Sequence, residues 1–116
     1  MTSLIKDTSQ FQLTHERLRD ILNSVQQTLT GRVSAAYIFG SGALGTISSG
    51  SDIDLILVVE HATQPFVQRG FAFMDLFEIY PKLDILVYTQ EELDQQLSDS
   101  QIGFWKSVRE SMKRIV

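Results

Sequence analysis

The chain has 116 residues, 43% of them hydrophobic, with 10 lysines and arginines against 14 aspartates and glutamates for a formal net charge of -4, and no cysteine. That length fits a single domain over residues 1–116 with a modest core, and the absence of cysteine excludes disulfides and thiolate zinc sites and points to a reducing, cytoplasmic setting. The acidic balance excludes a protein that grips nucleic acid by bulk electrostatics, and no apolar run approaches the roughly 18 to 20 residues that span a bilayer, so no membrane association is expected.

Residues 1–13 are mixed and weakly periodic and read as an N-terminal arm. From Thr14, an N-cap candidate, Leu18, Ile21, Leu22, Val25 and Leu29 follow helical spacing, and Gly31 suits a helix stop. Val33 to Phe39 is β-prone and ends at Gly40-Ser41-Gly42. After a Gly/Ser turn over Thr46 to Ser51, Ile53 to Val59 is apolar on both faces, as befits a strand in the middle of a covered sheet. Phe66, Gly70, Phe73, Met74 and Phe77 then repeat at helical spacing within Gln64 to Tyr80, and Pro81 stops that helix.

A third strand is expected over Lys82 to Tyr88, and Thr89 to Glu92 spells a capping box for a helix reaching Ser98. A last helix is expected from Ile102 to Arg114, with Lys106, Arg109, Lys113 and Arg114 as its basic face. The order is helix, strand, strand, helix, strand, helix, helix. It predicts an α+β sandwich, one small mixed sheet flanked by helices.

The chemistry concentrates in Gly40 to Leu55. Ten residues separate Ser41 from Asp52, and Asp52-Ile53-Asp54 opens the second strand with two carboxylates on one face. Carboxylates that close resist ionising together unless a cation is shared between them. Asp84, inside the third strand, supplies a further acid, and the three make a set of hard oxygen ligands suited to Mg²⁺ or Mn²⁺. At the first strand's end Gly40 lets the backbone approach a ligand closely, and Ser41 adds a hydroxyl donor, a pairing that suits phosphate. In two-metal phosphoryl transfer Asp52 and Asp54 would hold both ions, with Asp84 nearest the nucleophile as general base.

Each of these residues also has a structural reading. Asp52 follows a turn and could simply cap it, and Ser41 could cap a helix. His15 and His61 are isolated and read as surface residues. Phe66, Phe71, Phe73 and Phe77 read as core rather than as a base-stacking platform, and Trp105 as core of the last helix rather than a partner anchor.

Gly40-Ser41, the ten-residue interval, Asp52-x-Asp54 and a third acid on a later strand resemble the nucleotidyltransferase superfamily that includes DNA polymerase beta. More narrowly, Val33 to Leu97 resembles the minimal nucleotidyltransferases of bacteria and archaea. The resemblance implies the polymerase beta-like fold and transfer of a nucleoside monophosphate, such as AMP from ATP, to a hydroxyl. It implies Asp52, Asp54 and Asp84 as catalytic metal ligands and Gly40, Ser41 and Ser51 as nucleotide-binding residues.

Many such proteins resemble antitoxins paired with a small helical toxin of the HEPN class, in which AMP goes to a tyrosine of the partner. The alternative is an antitoxin that neutralises its partner by complex formation. The family commonly carries arginines between Gly-Ser and the following glycine, where this chain has Gly42, Ala43 and Leu44.

Overall fold

The computed structural model describes residues 12–116. The proposed arm over residues 1–13 therefore lies almost wholly outside the described residues. Helix α1 spans His15–Leu29, and the Thr14 hydroxyl caps it by accepting a hydrogen bond from the Arg17 amide at 3.1 Å. Leu18, Ile21, Val25 and Leu29 recur every three or four residues and are all buried, so the helix lays one apolar stripe on the sheet.

The sheet has four strands: β1 (Ala35–Phe39), β2 (Ile53–Val59), β3 (Leu83–Thr89) and β4 (Lys113–Arg114), in the spatial order β3-β2-β1-β4. β2 runs antiparallel to β1 and parallel to β3, while β4 pairs antiparallel with β1. The sheet is thus mixed, as the sequence predicts. Short helix α2 (Ser41–Leu44) follows β1, and α3 (Gln90–Ser98) and α4 (Gly103–Ser111) follow β3.

β2 occupies the centre. Ile53, Leu55, Ile56, Leu57 and Val58 are all fully buried because both faces are covered. On one face, Ile53, Leu55 and Leu57 pack with the α1 stripe and with Phe73 and Leu76. On the other, Ile56 and Val58 pack with Leu93 of α3 and Val108 of α4. Burying each such aliphatic side chain contributes about 1.5–3 kcal/mol relative to exposure. Among the described residues, no helix is long and apolar enough to cross a membrane.

Two expectations are corrected. Gln64 to Tyr80 is not an α-helix: Phe66–Glu78 is a 3-10 segment, interrupted at Phe73 by non-helical dihedrals. A period of three residues puts Phe73 and Leu76 inward and leaves Met74 and Phe71 exposed, so the aromatic group is only partly core. Gly70 and the aromatic residues favour the α-helix poorly, which removes the local preference for the wider turn.

The last helix stops at Ser111, with Met112 extended, and Lys113 and Arg114 belong to β4 rather than to a helical basic face. The free edge of β1 is the reason. Ile115 donates its amide to the Ala36 carbonyl at 2.8 Å, and Ile115 and Val116 pack onto the core.

The capping box is present as expected, with Thr89 and Glu92 each bonding the other's backbone amide. Glu92 also receives Arg69 in a two-pronged ion pair, at 2.7 and 3.1 Å, which clamps the 3-10 segment to the start of α3. Arg69 and the Thr89 amide together hold the Glu92 carboxyl down from 4.5 to about 2. A folded-state value below the unfolded one stabilises above the unfolded value and is lost as pH falls through the folded one. Glu92→Gln is therefore expected to cost about 1 kcal/mol at pH 7, the pair being partly screened by water. Urea melts at stepped pH check this: the gap to wild type should close between about pH 4.5 and pH 2.

Candidate active site

The site begins with strand direction. β1 enters antiparallel to β2, and β3 lies parallel to β2, so the end of β1 and the starts of β2 and β3 meet at one end of the sheet. Phe39 pairs with Asp54 across β1 and β2, and Asp54 pairs with Asp84 across β2 and β3. Neighbouring strands lie about 4.8 Å apart, and residues in register project from the same face. Asp54 shares its face with Ile56 and Val58, and Asp84 shares its face with Leu86 and Tyr88, so both acids lie on the side that carries α3 and α4.

Gly40 leaves the Asp54 carboxylate its room. Its φ of 71° lies in the left-handed region, and a Cβ built on it would stand 2.8 Å from Asp54 Oδ2. Any side chain here would collide with the carboxylate, so glycine is required by contact as well as by conformation. The Gly40 amide donates to the buried Ser111 hydroxyl at 2.9 Å, and that hydroxyl donates to the Ser107 carbonyl at 2.7 Å. The end of α4 thus fixes the peptide on which the site turns.

Ser41 opens α2, whose first internal bonds are donated by Ala43 and Leu44 to the Gly40 carbonyl, each at 3.1 Å. The Ser41 and Gly42 amides precede that ladder and have no carbonyl of the helix to bond. Gly42 is packed tightly, since a Cβ there would meet Ile38 Cδ1 at 2.8 Å, whereas Leu44 is exposed.

Asp52 stands one step before β2, in a turn tied down from several sides. Tyr80 donates its hydroxyl to the Ser51 carbonyl at 3.0 Å, Leu13 donates its amide to Ser49 O at 2.8 Å, and Lys82 donates to the Gly50 carbonyl. Ser51, expected among the nucleotide-binding residues, uses its hydroxyl to accept the Ser48 amide at 2.7 Å and so closes the turn. Asp52 is well exposed, with Lys82 Nζ at 3.6 Å from its carboxylate.

The electrostatics follow from crowding. Burial, then the Asp84 charge, then the Asp52 charge raise the Asp54 carboxyl above its ordinary value. Among the described residues, no three acidic or histidine side chains converge into a finished metal cage. The structure therefore sets Asp54 against Gly40 on one side and in register with Asp84 on the other, with Asp52 nearby and within 3.6 Å of Lys82 Nζ.

A family model described as a nucleotidyltransferase domain matches residues 17–114. The chain belongs to the polymerase beta-like nucleotidyltransferases. A solved structure from Sulfolobus solfataricus, named a "putative nucleotidyltransferase", shares the fold with a TM-score of 0.55 and 22% identity, over 80% of this chain and 85% of that one. No curated protein matches.

Nucleotidyltransferase domains generally use nucleoside triphosphates and divalent metals. The residues of this nucleotidyltransferase fit that use. Magnesium takes one or two protein carboxylates and completes its shell with water and substrate phosphate, so the Asp54–Asp84 pair suffices without a closed cage. Oxygen donors that repel one another while partly buried also gain most from a cation.

Sequence reasoning missed Ser111 and Lys82. Nothing local marks Ser111, which reaches Gly40 from 71 residues away. Lys82 could have been found, because it stands two residues before Asp84 and so on the same face.

A carboxyl raised in the folded state costs stability at pH values above its folded value and costs nothing below its unfolded one. Asp54→Asn is therefore expected to raise the melting temperature by a few degrees at pH 7 in chelator, with the gain gone below about pH 3.8. Added Mg²⁺ should raise the melting temperature of wild type and not that of the variant. Differential scanning fluorimetry in both conditions checks this.

Proposed function

We propose that this nucleotidyltransferase transfers AMP from ATP to a hydroxyl of a second macromolecule, a tyrosine of a small helical HEPN-type partner being the acceptor implied by its resemblance to minimal nucleotidyltransferases. The observation that carries the reading is the in-register pair Asp54–Asp84 beside Gly40-Ser41 at one end of the sheet. Metal bound there would neutralise the departing pyrophosphate and acidify the attacking hydroxyl.

The chain's own residues divide the remaining work. Asp54, held over Gly40, anchors the substrate end with Asp52. Ser41, with the Ser41 and Gly42 amides, takes phosphate oxygens. Asp84 is exposed where an acceptor can reach it, and accepts the proton of the attacking hydroxyl. The hydroxyl oxygen forms a bond to the α-phosphorus, the bond from that phosphorus to the pyrophosphate oxygen breaks, and pyrophosphate leaves with the electron pair.

A second reading is a module that neutralises its partner by binding alone. The stretch Gly42 to Leu44, which holds no basic side chain for the triphosphate, favours it.

Incubating the chain with Mg²⁺, ATP and a candidate small helical partner of the HEPN class, and weighing both intact, separates the two readings. Transfer predicts a partner heavier by AMP, with Asp84→Asn slowing labelling by about 100-fold or more. A partner that is bound and inhibited but never gains mass would overturn transfer in favour of the binding module.

A further inference from the structure

Phe104, in the first turn of α4, is 53% exposed yet held in one place. Its ring stands nearly perpendicular to Phe39 with 5.8 Å between centroids, and nearly perpendicular to Trp105 at 5.2 Å. Such edge-to-face contacts fix a ring's orientation while leaving its remaining surface open. Phe39 is the β1 residue paired with Asp54, and it packs in the cluster on the same face as the acids. Phe104 is thereby placed at the rim of the carboxylate end. The other exposed rings lie elsewhere: Phe66 packs on Tyr88, four residues along β3 from Asp84, and Phe71 belongs to the same 3-10 segment.

We infer that the open surface of Phe104 is the platform on which the base of the nucleoside triphosphate stacks, while the triphosphate lies over Gly40-Ser41 toward Asp54 and Asp84. This rests on the nucleotidyltransferase reading of the carboxylate site. A flat ring beside the acids accommodates any base, because every base offers a π-face, so the platform contributes affinity and orientation with only modest choice between bases. Trp105, the only tryptophan of the chain, touches both Phe104 and Tyr88 and makes a built-in reporter of that stacking.

The test is calorimetric and fluorescence titration of the full chain in Mg²⁺ with two probes, ATP and inorganic tripolyphosphate, the second having no base. Phe104→Ala and Phe104→Leu are each expected to weaken ATP binding by about 10- to 100-fold and to leave tripolyphosphate binding unchanged. Phe104→Tyr should retain ATP binding, and ATP alone should alter Trp105 emission in wild type. Leucine keeps apolar bulk against Phe39 and Trp105, so its loss of ATP binding isolates the π-surface from packing.

If wild type binds both probes and the leucine variant binds ATP as well as wild type does, the platform is wrong and the carboxylate site stands. If the variants lose tripolyphosphate equally, the ring is a structural prop and the inference falls. If wild type binds neither probe, the site reading fails and the platform with it.

Discussion

Two carboxylates face each other across adjacent parallel strands, Asp54 on β2 and Asp84 on β3, and the fold holds them there against their repulsion. A ladder fixes its residues by backbone bonds, so neither acid can leave its rung without breaking pairing along the strand. The Ile53 amide, donating to the Lys82 carbonyl at 2.9 Å, starts that ladder one residue before Asp54. Repulsion between Asp54, Asp84 and Asp52 is therefore stored at the sheet's end, partly out of water, and it sets a local preference for divalent cations.

The rest of the molecule is arranged to support that end. β2 stays rigid because helices on both faces bury it, and the stability so gained exceeds what the crowded acids cost. Gly40 gives the Asp54 carboxylate its space, and Ser111 holds Gly40 from the far end of the chain. Tyr80 and Lys82, just before β3, grip the turn that carries Asp52, so the approaches to β2 and β3 are locked to each other as well as paired. Lys82 also lends positive charge to the exposed Asp52.

Much of this was legible in the sequence because it is local. The α1 stripe, the apolar run of β2 and the Thr89 to Glu92 capping box are short-range patterns, and Asp54 and Asp84 lie inside recognisable strands, with Asp52 one residue before the first of them. The Gly40-Ser41 spacing to Asp52 and Asp54 was readable for the same reason. The 3-10 segment was not, since Phe66 to Glu78 has helical spacing in its apolar residues while its packing selects Phe73 and Leu76 at a period of three. β4 was hidden because only the unsatisfied edge of β1, distant in sequence, draws Lys113 and Arg114 out of the preceding helix. Ser111 and Phe104 matter through contacts 65 to 71 residues away, with Phe39 and Gly40, which no window of sequence contains.

Anomalous scattering from crystals grown with Mn²⁺ and a non-hydrolysable nucleoside triphosphate would measure the central claim directly. The expected result is a peak at the carboxylates of Asp54 and Asp84, the residues that would hold the metal, next to the bound phosphates. A nucleotide bound with no metal at these two residues, or a metal held elsewhere on the chain, would contradict it.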